Sequence, residues 1–143
     1  MTAAFFGHRT CPASIKPMLF QAIKGEIERG TSRFYIGNHG DFDAMALSCL
    51  QELKQTYSEI QYAVVLAYLP KDSELYLPGE TIFPEGIEIV PKRFAIDYRN
   101  RWMLDRADTV IAYILCPYGG AAKYVEKANN KNKPVINLAD WQK

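Results

Sequence analysis

Short apolar runs alternate with amphipathic stretches along most of the chain. The runs are rich in β-branched and aromatic residues, which is typical of buried strands. The predicted strands are Ala3–Phe6, Ser32–Ile36, Ile60–Leu69, Gly86–Val90, Thr109–Tyr113 and Pro134–Leu138. Between the runs, apolar residues recur three and four positions apart, as on one face of a helix. The predicted helices are Ser14–Arg29, a helix that begins at Asp41, Arg93–Arg106 and Ala121–Asn130. Because strands and helices alternate, the pattern predicts an α/β fold with a mostly parallel central sheet of five to six strands.

One segment, Pro70–Pro84, breaks this alternation. It contains three prolines and a glycine, and we predict a loop or flap over the edge of the sheet. Its apolar side chains would either plug the core, which we favour, or cover a ligand. These side chains are Tyr76, Leu77, Ile82 and Phe83. The sequence shows no internal repeat and no domain boundary, so we expect a single domain over all 143 residues.

The net charge of +1 at pH 7 gives no electrostatic reason for nonspecific binding to nucleic acid or to a membrane. We therefore expect a small-molecule partner, and neither a nucleic-acid nor a membrane partner. The three cysteines are odd in number and form no C-x-x-C pair, which favours a reducing compartment. Since no signal peptide is evident and no apolar run could span a bilayer, the expected location is the cytoplasm.

The sequence predicts neither a cofactor nor a metal ion. No G-x-G-x-x-G motif follows the first predicted strand and no acidic residue ends the second, so a hydride-transferring dehydrogenase is not expected. His8 and His39 lie on separate loops. Only convergence of these loops would allow the two histidines to share a metal ion.

Three glycine turns follow predicted strands: Gly7-His8-Arg9, Gly37-Asn38-His39-Gly40 and Gly119-Gly120. The carboxyl ends of parallel strands share one edge of a sheet, so we expect the three turns to meet there. Glycines admit a ligand close to the backbone, and a helix N-terminus attracts phosphate. The candidate ligand-binding residues are Gly7, His8, Arg9, Gly37, Asn38, Gly40, Asp43, Gly119, Gly120 and Lys123.

Asp43 has two interpretations. Its carboxylate could accept hydrogen bonds from a ribose or a base, which would make it part of a binding site. Asp41 and Asp43 also suit the negatively charged first turn of a helix. Both interpretations of Asp43 stay open, whereas Asp41 is expected to act mostly as a helix cap.

Together these motifs resemble the SLOG superfamily, which includes LOG-type phosphoribohydrolases and a branch of small bacterial proteins with a Gly-His-Arg start. The resemblance covers nearly the whole chain. The matching segments are FFGHR at Phe5–Arg9, G-x-x-G-x-F-D at Gly37–Asp43, RNRWMLDRADTVIAY at Arg99–Tyr113, Gly119-Gly120, and VINL at Val135–Leu138. The resemblance implies a Rossmann-like three-layer sandwich.

The enzyme branch of this superfamily typically carries an Arg-Lys pair, an Ala-Asp, and then Pro-Gly-Gly-x-Gly-Thr-x-x-Glu. Its Arg and final Glu cleave the N-glycosidic bond of a nucleoside monophosphate. The resemblance therefore implies Arg99 and Glu126 as the catalytic residues, if the chain is an enzyme. Asn100, Tyr118 and Ala122-Lys123 replace the Lys, the Pro and the Gly-Thr, which alters the phosphate-binding loop, although Lys123 could supply a positive charge.

The leading hypothesis is a module that binds a nucleotide or a nucleotide-derived, ADP-ribose-like molecule at the carboxyl ends of the strands, as a sensor or a sequestering protein. The first alternative is an N-glycosidase that releases the base from a nucleoside monophosphate. The second is a non-catalytic interaction or assembly protein with a hydrophobic surface around Tyr76–Phe83. A homodimer or higher oligomer is left open.

Overall fold

The computed structural model describes residues 1–68 and 80–142. In these ranges six strands form one sheet. They are β1 (Thr2–Gly7), β2 (Arg33–Ile36), β3 (Gln61–Val65), β4 (Glu80–Ile82), β5 (Thr109–Tyr113) and β6 (Val135–Asn137). Their order is β4-β3-β2-β1-β5-β6, and every neighbouring pair is parallel. The predicted α/β class and the number of strands are confirmed.

Helices cover both faces of the sheet, which gives three layers. On one face, α1 (Lys16–Glu28) and α2 (Asp41–Thr56) share an apolar core with the sheet. On the other face, α3 (Ala95–Arg106) and α4 (Gly120–Asn130) share a second core with it. Successive residues of a strand point to opposite faces, so Phe5 belongs to the first core and Phe6 to the second.

The strand order reverses at β1. Along the chain, the sheet grows from β1 through β2 and β3 to β4 on one side, and β5 and β6 are then added on the other side. Ala4 of β1 lies opposite Tyr35 of β2 and Val110 of β5. In open α/β sheets, a crevice forms outside the carboxyl ends of the strands where the order reverses. The turns after β1, β2 and β5 border that crevice.

The prediction of a strand at Gly86–Val90 was wrong. Residues Ile87–Ile89 form a short 3-10 turn, because the backbone N–H groups of Ile89 and Val90 donate to Gly86 and Ile87 within the same segment. The fourth strand is instead β4, which lies inside the predicted Pro70–Pro84 loop. Part of that loop, residues 69–79 with Tyr76 and Leu77, falls outside the described residues. Ile82 and Phe83 are partly buried against the apolar cores.

The predicted start of α1 and the predicted cap at Asp41 were also wrong. A 3-10 turn at Ala13–Ile15 precedes α1, so the helix predicted from Ser14 begins at Lys16. Asp41 is the first residue of α2, and Gly40 holds the cap position. The carboxylate of Asp41 instead accepts a hydrogen bond from the backbone N–H of Cys11 at 3.3 Å. In the ranges 1–68 and 80–142, no helix has the length and apolar character needed to cross a membrane.

Candidate functional site

The three glycine turns meet at one pocket of about 270 Å³ at the carboxyl edge of the sheet. Its lining residues come from the turns after β1, β2 and β5, from the first turns of α2 and α4, and from one face of α3. They are Phe5, Phe6, Gly7, His8, Arg9, Gly37, His39, Asp43, Ile96, Arg99, Asn100, Gly119, Gly120 and Ala121. Seven of the ten predicted ligand-binding residues are therefore brought together.

The turns after β1 and β2 are tied to each other. The backbone N–H of Asp41 donates to the carbonyl oxygen of Arg9 at 2.6 Å. Gly40, with φ of +100°, approaches so closely that a Cβ at this position would lie 2.4 Å from Cα of Arg9. Only glycine adopts this conformation at such close range without strain. The exposed side chain of Arg9 is thereby held beside the pocket by its backbone.

The glycines of the site have two different roles. A Cβ on Gly7 would lie 2.2 Å from Cγ of Phe42, and a Cβ on Gly37 would lie 2.8 Å from Nη1 of Arg99. Both glycines therefore make room for the protein's own side chains. Gly119 and Gly120 have no neighbouring atom within 4 Å of their Cβ positions. The open space at these two residues is the part of the site that a ligand can approach.

Arg99 is the most deeply buried charged residue of the pocket, at 3% exposure. Its guanidinium donates to the carbonyl oxygen of Val65 at 3.0 Å, to Oδ1 of Asn100 at 2.8 Å and to Oδ1 of Asn38 at 3.4 Å. Its Nη2 also lies 3.2 Å from Nδ1 of His39. Burial lowers the pKa of Arg99, and the carboxylate of Asp43 opposes that change. Arg99 thus joins the ends of β2 and β3 to α3.

Asp43 reaches the pocket from the first turn of α2. Its Oδ2 accepts a hydrogen bond from the backbone N–H of His39 at 3.0 Å. Burial raises the pKa of Asp43 to about 6, against the opposing effects of this hydrogen bond and of the positive charges on Arg99 and Arg9. The arrangement provides a hydrogen-bond acceptor inside a pocket that otherwise carries positive charge.

His8 connects the turn after β1 to the turn after β5. Its Nε2 accepts a hydrogen bond from the backbone N–H of Leu115 at 2.9 Å, so the proton of a neutral ring lies on Nδ1. Sγ of Cys116 lies 3.9 Å from the same nitrogen. Within the described residues, no group of three or more His, Cys, Asp or Glu side chains is placed to bind a metal ion.

Four predicted site residues stand apart from the pocket lining. Lys123 is exposed and pairs with Oδ1 of Asp97 at 2.9 Å. Asn38 is exposed and supports Arg99. Glu126, the predicted catalytic partner of Arg99, is exposed on α4 and does not line the pocket. Gly40 also stands outside the lining and acts through its contact with Arg9.

Asn100 and Ile96 were not predicted as site residues. Both line the pocket together with Arg99. Arg99 and Asn100 come three and four residues after Ile96 on α3, which places all three on one face of the helix. That spacing, combined with a helix that begins at the carboxyl edge, is the signal that would have identified them.

Exposed hydrophobic side chains lie close in sequence to residues that line the pocket. Leu115 and Tyr118, on the loop between β5 and α4, are 64% and 77% exposed. On the segment that leads into α3, Phe94 is 50% exposed, and the guanidinium of Arg93 lies 4.8 Å from the centre of its ring.

Comparison with known proteins supports the fold. DNA processing protein A (DprA) from Streptococcus pneumoniae has a TM-score of 0.69 and 16% identity, over 94% of this chain and 48% of that one. DNA processing protein A from Helicobacter pylori, described for its single-stranded DNA binding mode, has a TM-score of 0.66 and 13% identity, over 94% of this chain and 63% of that one. The chain thus spans less than two thirds of either protein.

No protein-family model matches the sequence, and no curated protein matches it significantly. The shared Rossmann-like fold agrees with the fold that the SLOG resemblance implied. The expectation of a small nucleotide-derived ligand, with no nucleic-acid partner, was wrong: the Helicobacter pylori protein with this fold binds single-stranded DNA. A net charge of +1 averages over the whole surface, and it carries no information about charge at one edge.

Proposed function

We propose that this chain binds single-stranded DNA at the carboxyl edge of its sheet. The observation that carries the proposal is Tyr118, which is 77% exposed directly before the open Gly119-Gly120 turn. Single-stranded DNA binds to surfaces that combine aromatic rings with positive charge and free backbone N–H groups. All three are present at this edge.

Two exposed aromatic side chains lie close in sequence to residues that line the pocket. Tyr118 follows β5, and Phe94 precedes α3 with Arg93 over its ring. Bases of a single strand are free to stack on such rings, whereas bases in a duplex are already stacked on each other. The exposed rings therefore favour a single strand over a duplex.

The phosphate-binding part of the proposed surface is confined to the first turn of α4 and to Arg9. Gly120 begins α4, and the first N–H groups of a helix attract anions together with the positive end of its dipole. Arg9 is exposed at the pocket and supplies a guanidinium that can contact a phosphate with two hydrogen bonds. A few such contacts are compatible with a net charge of +1, and they predict a modest dependence of affinity on salt.

We also propose a family branch and a domain organisation for this chain. The chain would belong to the branch of small bacterial SLOG proteins with a Gly-His-Arg start, with its 143 residues forming one SLOG-like domain. Phe5–Arg9 and Gly37–Asp43 support this branch, because they carry its two N-terminal motifs. Both motifs contribute residues to the pocket.

The test is fluorescence anisotropy with a labelled oligothymidylate of about 20 nucleotides, compared with a duplex of the same length. The single strand should bind more tightly. Tyr118→Ala should weaken binding by about 5- to 150-fold, the range for loss of one stacked base, and Tyr118→Phe should retain the affinity. Equal binding of duplex and single strand, or no binding of either, contradicts the proposal.

A second arm examines the phosphate contact. Arg9→Ala should reduce the slope of log affinity against log salt by about 0.7, the value for one phosphate on a single strand. Arg33→Ala is the matched control, because Arg33 begins β2 at the opposite edge and donates to Gln61. An unchanged slope in Arg9→Ala would remove Arg9 from the interface.

A further inference from the structure

The pocket has two chemically different sides. Gly119 and Gly120 lie on the side of β5 and open onto solvent, where the N-terminus of α4 favours an anion. Asp43 lies on the side of β2, in the first turn of α2. Because β1 separates β2 from β5, the anion-binding and carboxylate groups stand on opposite flanks of one strand.

The carboxylate of Asp43 restricts which chemical groups of a ligand can contact this side of the pocket. An ionised carboxylate only accepts hydrogen bonds, and it repels a phosphate. Oδ2 of Asp43 accepts one bond from the N–H of His39, while Oδ1 accepts none from the described residues. In a DNA strand, the hydrogen-bond donors available to Asp43 are the N–H groups of the bases.

We propose that the pocket takes one guanine base of the bound strand, with its N1–H and N2–H groups donating to the carboxylate of Asp43. This inference rests on the proposed binding of single-stranded DNA. Guanine presents these two donors side by side, which matches the two oxygens of one carboxylate.

The other bases complement a carboxylate less well. Adenine and cytosine each present a single amino group next to a ring nitrogen that accepts hydrogen bonds. Thymine presents one N–H between two carbonyl oxygens, and those oxygens would face the carboxylate with like charge. Asp43 thus selects for guanine and against thymine.

The size of the pocket supports a single base. Its volume of about 270 Å³ lies just below the roughly 300–1,000 Å³ typical of pockets for drug-sized ligands. One unstacked base fits such a space, and the sugar and phosphate remain outside. The phosphates then lie toward Gly119, Gly120 and Arg9.

The experiment compares oligothymidylates that carry a single central substitution: guanine, hypoxanthine, adenine or cytosine. Hypoxanthine has the shape of guanine but lacks the N2 amino group. Guanine should bind about 5- to 150-fold more tightly than thymine, the range for one bidentate contact to a base. Hypoxanthine should lose most of that advantage, because only one of its groups can donate to Asp43.

Protein variants provide the second readout, which is the ratio of guanine to thymine affinity. Asp43→Asn should bring this ratio close to one, because the amide has a single acceptor oxygen. Asp41→Asn is the matched control and should keep the ratio, since Asp41 contacts Cys11 and does not line the pocket. Circular dichroism and thermal unfolding of each variant establish that it is folded.

The outcomes separate the two proposals. Equal affinity for all substituted strands, or hypoxanthine equal to guanine, overturns the guanine assignment and leaves the binding of single-stranded DNA intact. A guanine preference that survives Asp43→Asn removes Asp43 as its source and also overturns the assignment. No binding of any strand removes the proposed function itself.

Discussion

Gly37 lies directly against the guanidinium of Arg99. A Cβ built on Gly37 would come within 2.8 Å of Nη1 of Arg99 and within 2.8 Å of Oδ2 of Asp43. The absence of a side chain at the end of β2 is thus what allows the buried arginine and the carboxylate to occupy adjacent positions. The site depends on this glycine even if no ligand touches it.

Gly37→Ala should therefore disturb the site. The added methyl group forces the Arg99 guanidinium or the Asp43 carboxylate to move, and forced overpacking of this kind destabilises a protein by about 1–3 kcal/mol. We expect a decrease of that size in the free energy of unfolding measured with urea, together with weaker binding of single-stranded DNA.

Gly25→Ala is the matched control. Gly25 lies within α1, and its Cβ would meet only the end of the Arg29 side chain, at 3.6 Å. Alanine is a better helix former than glycine by up to about 1 kcal/mol. This variant should be as stable as the native chain or more so. If Gly37→Ala behaved in the same way, the close contact with Arg99 would have no structural effect.

The buried arginine leads to a second prediction. Lysine cannot reproduce the planar set of donors with which Arg99 contacts Val65 and Asn100. Arg99→Lys should lower the free energy of unfolding by about 1–3 kcal/mol, because buried acceptors lose their partners. Arg101→Lys, on the exposed face of the same helix, should change it by less than about 0.5 kcal/mol. Equal effects of the two substitutions in urea unfolding would contradict this role of Arg99.

The alternation of apolar runs and amphipathic stretches was enough to predict the fold class. The strand Thr109–Tyr113 was predicted with the bounds that the structure shows, because all its residues are buried and β-branched, aromatic or small. β4 was missed because it is only three residues long and lies next to prolines. Gly86–Val90 was misassigned because a local 3-10 turn can contain the same β-branched residues as a strand.

The site was predicted in part, but the role assigned to its glycines does not hold for all of them. The meeting of the three turns follows from parallel strands and needs no knowledge of side-chain contacts. The glycines were attributed to ligand approach, but Gly7 and Gly37 admit Phe42 and Arg99. Sequence patterns do not distinguish a glycine that contacts a ligand from one that contacts a distant side chain.

Gly40 and Gly119 provide a third prediction, which separates strain from steric overlap. Both have positive φ, +100° and +97°, but only Gly40 faces a close neighbour, the backbone of Arg9 at 2.4 Å. Gly119→Ala should lower the free energy of unfolding by about 1–3 kcal/mol, the strain of an alanine at positive φ with extended ψ. Gly40→Ala should lower it by about 2–6 kcal/mol, since overpacking is added to the same strain. Thermal unfolding of both variants tests the order, and the reverse order would contradict it.

The pKa of Asp43 gives the last prediction. Burial raises this pKa to about 6, whereas an Asp in an unfolded chain titrates near 3.9. The folded state holds the proton more tightly, so this contribution to stability is complete below about pH 3.9 and is lost as the pH rises through about 6. Relative to Asp43→Asn, which does not titrate, the native chain should lose about 1–2 kcal/mol of unfolding free energy between about pH 4 and 7. This loss is less than the full pKa shift would give, because the side chain keeps some contact with solvent.

Urea unfolding of the native chain and of Asp43→Asn across this pH range measures the difference. Titrating groups far from Asp43 contribute equally to both curves and cancel, so a difference that stayed constant with pH would mean that the carboxylate of Asp43 is not desolvated by the fold.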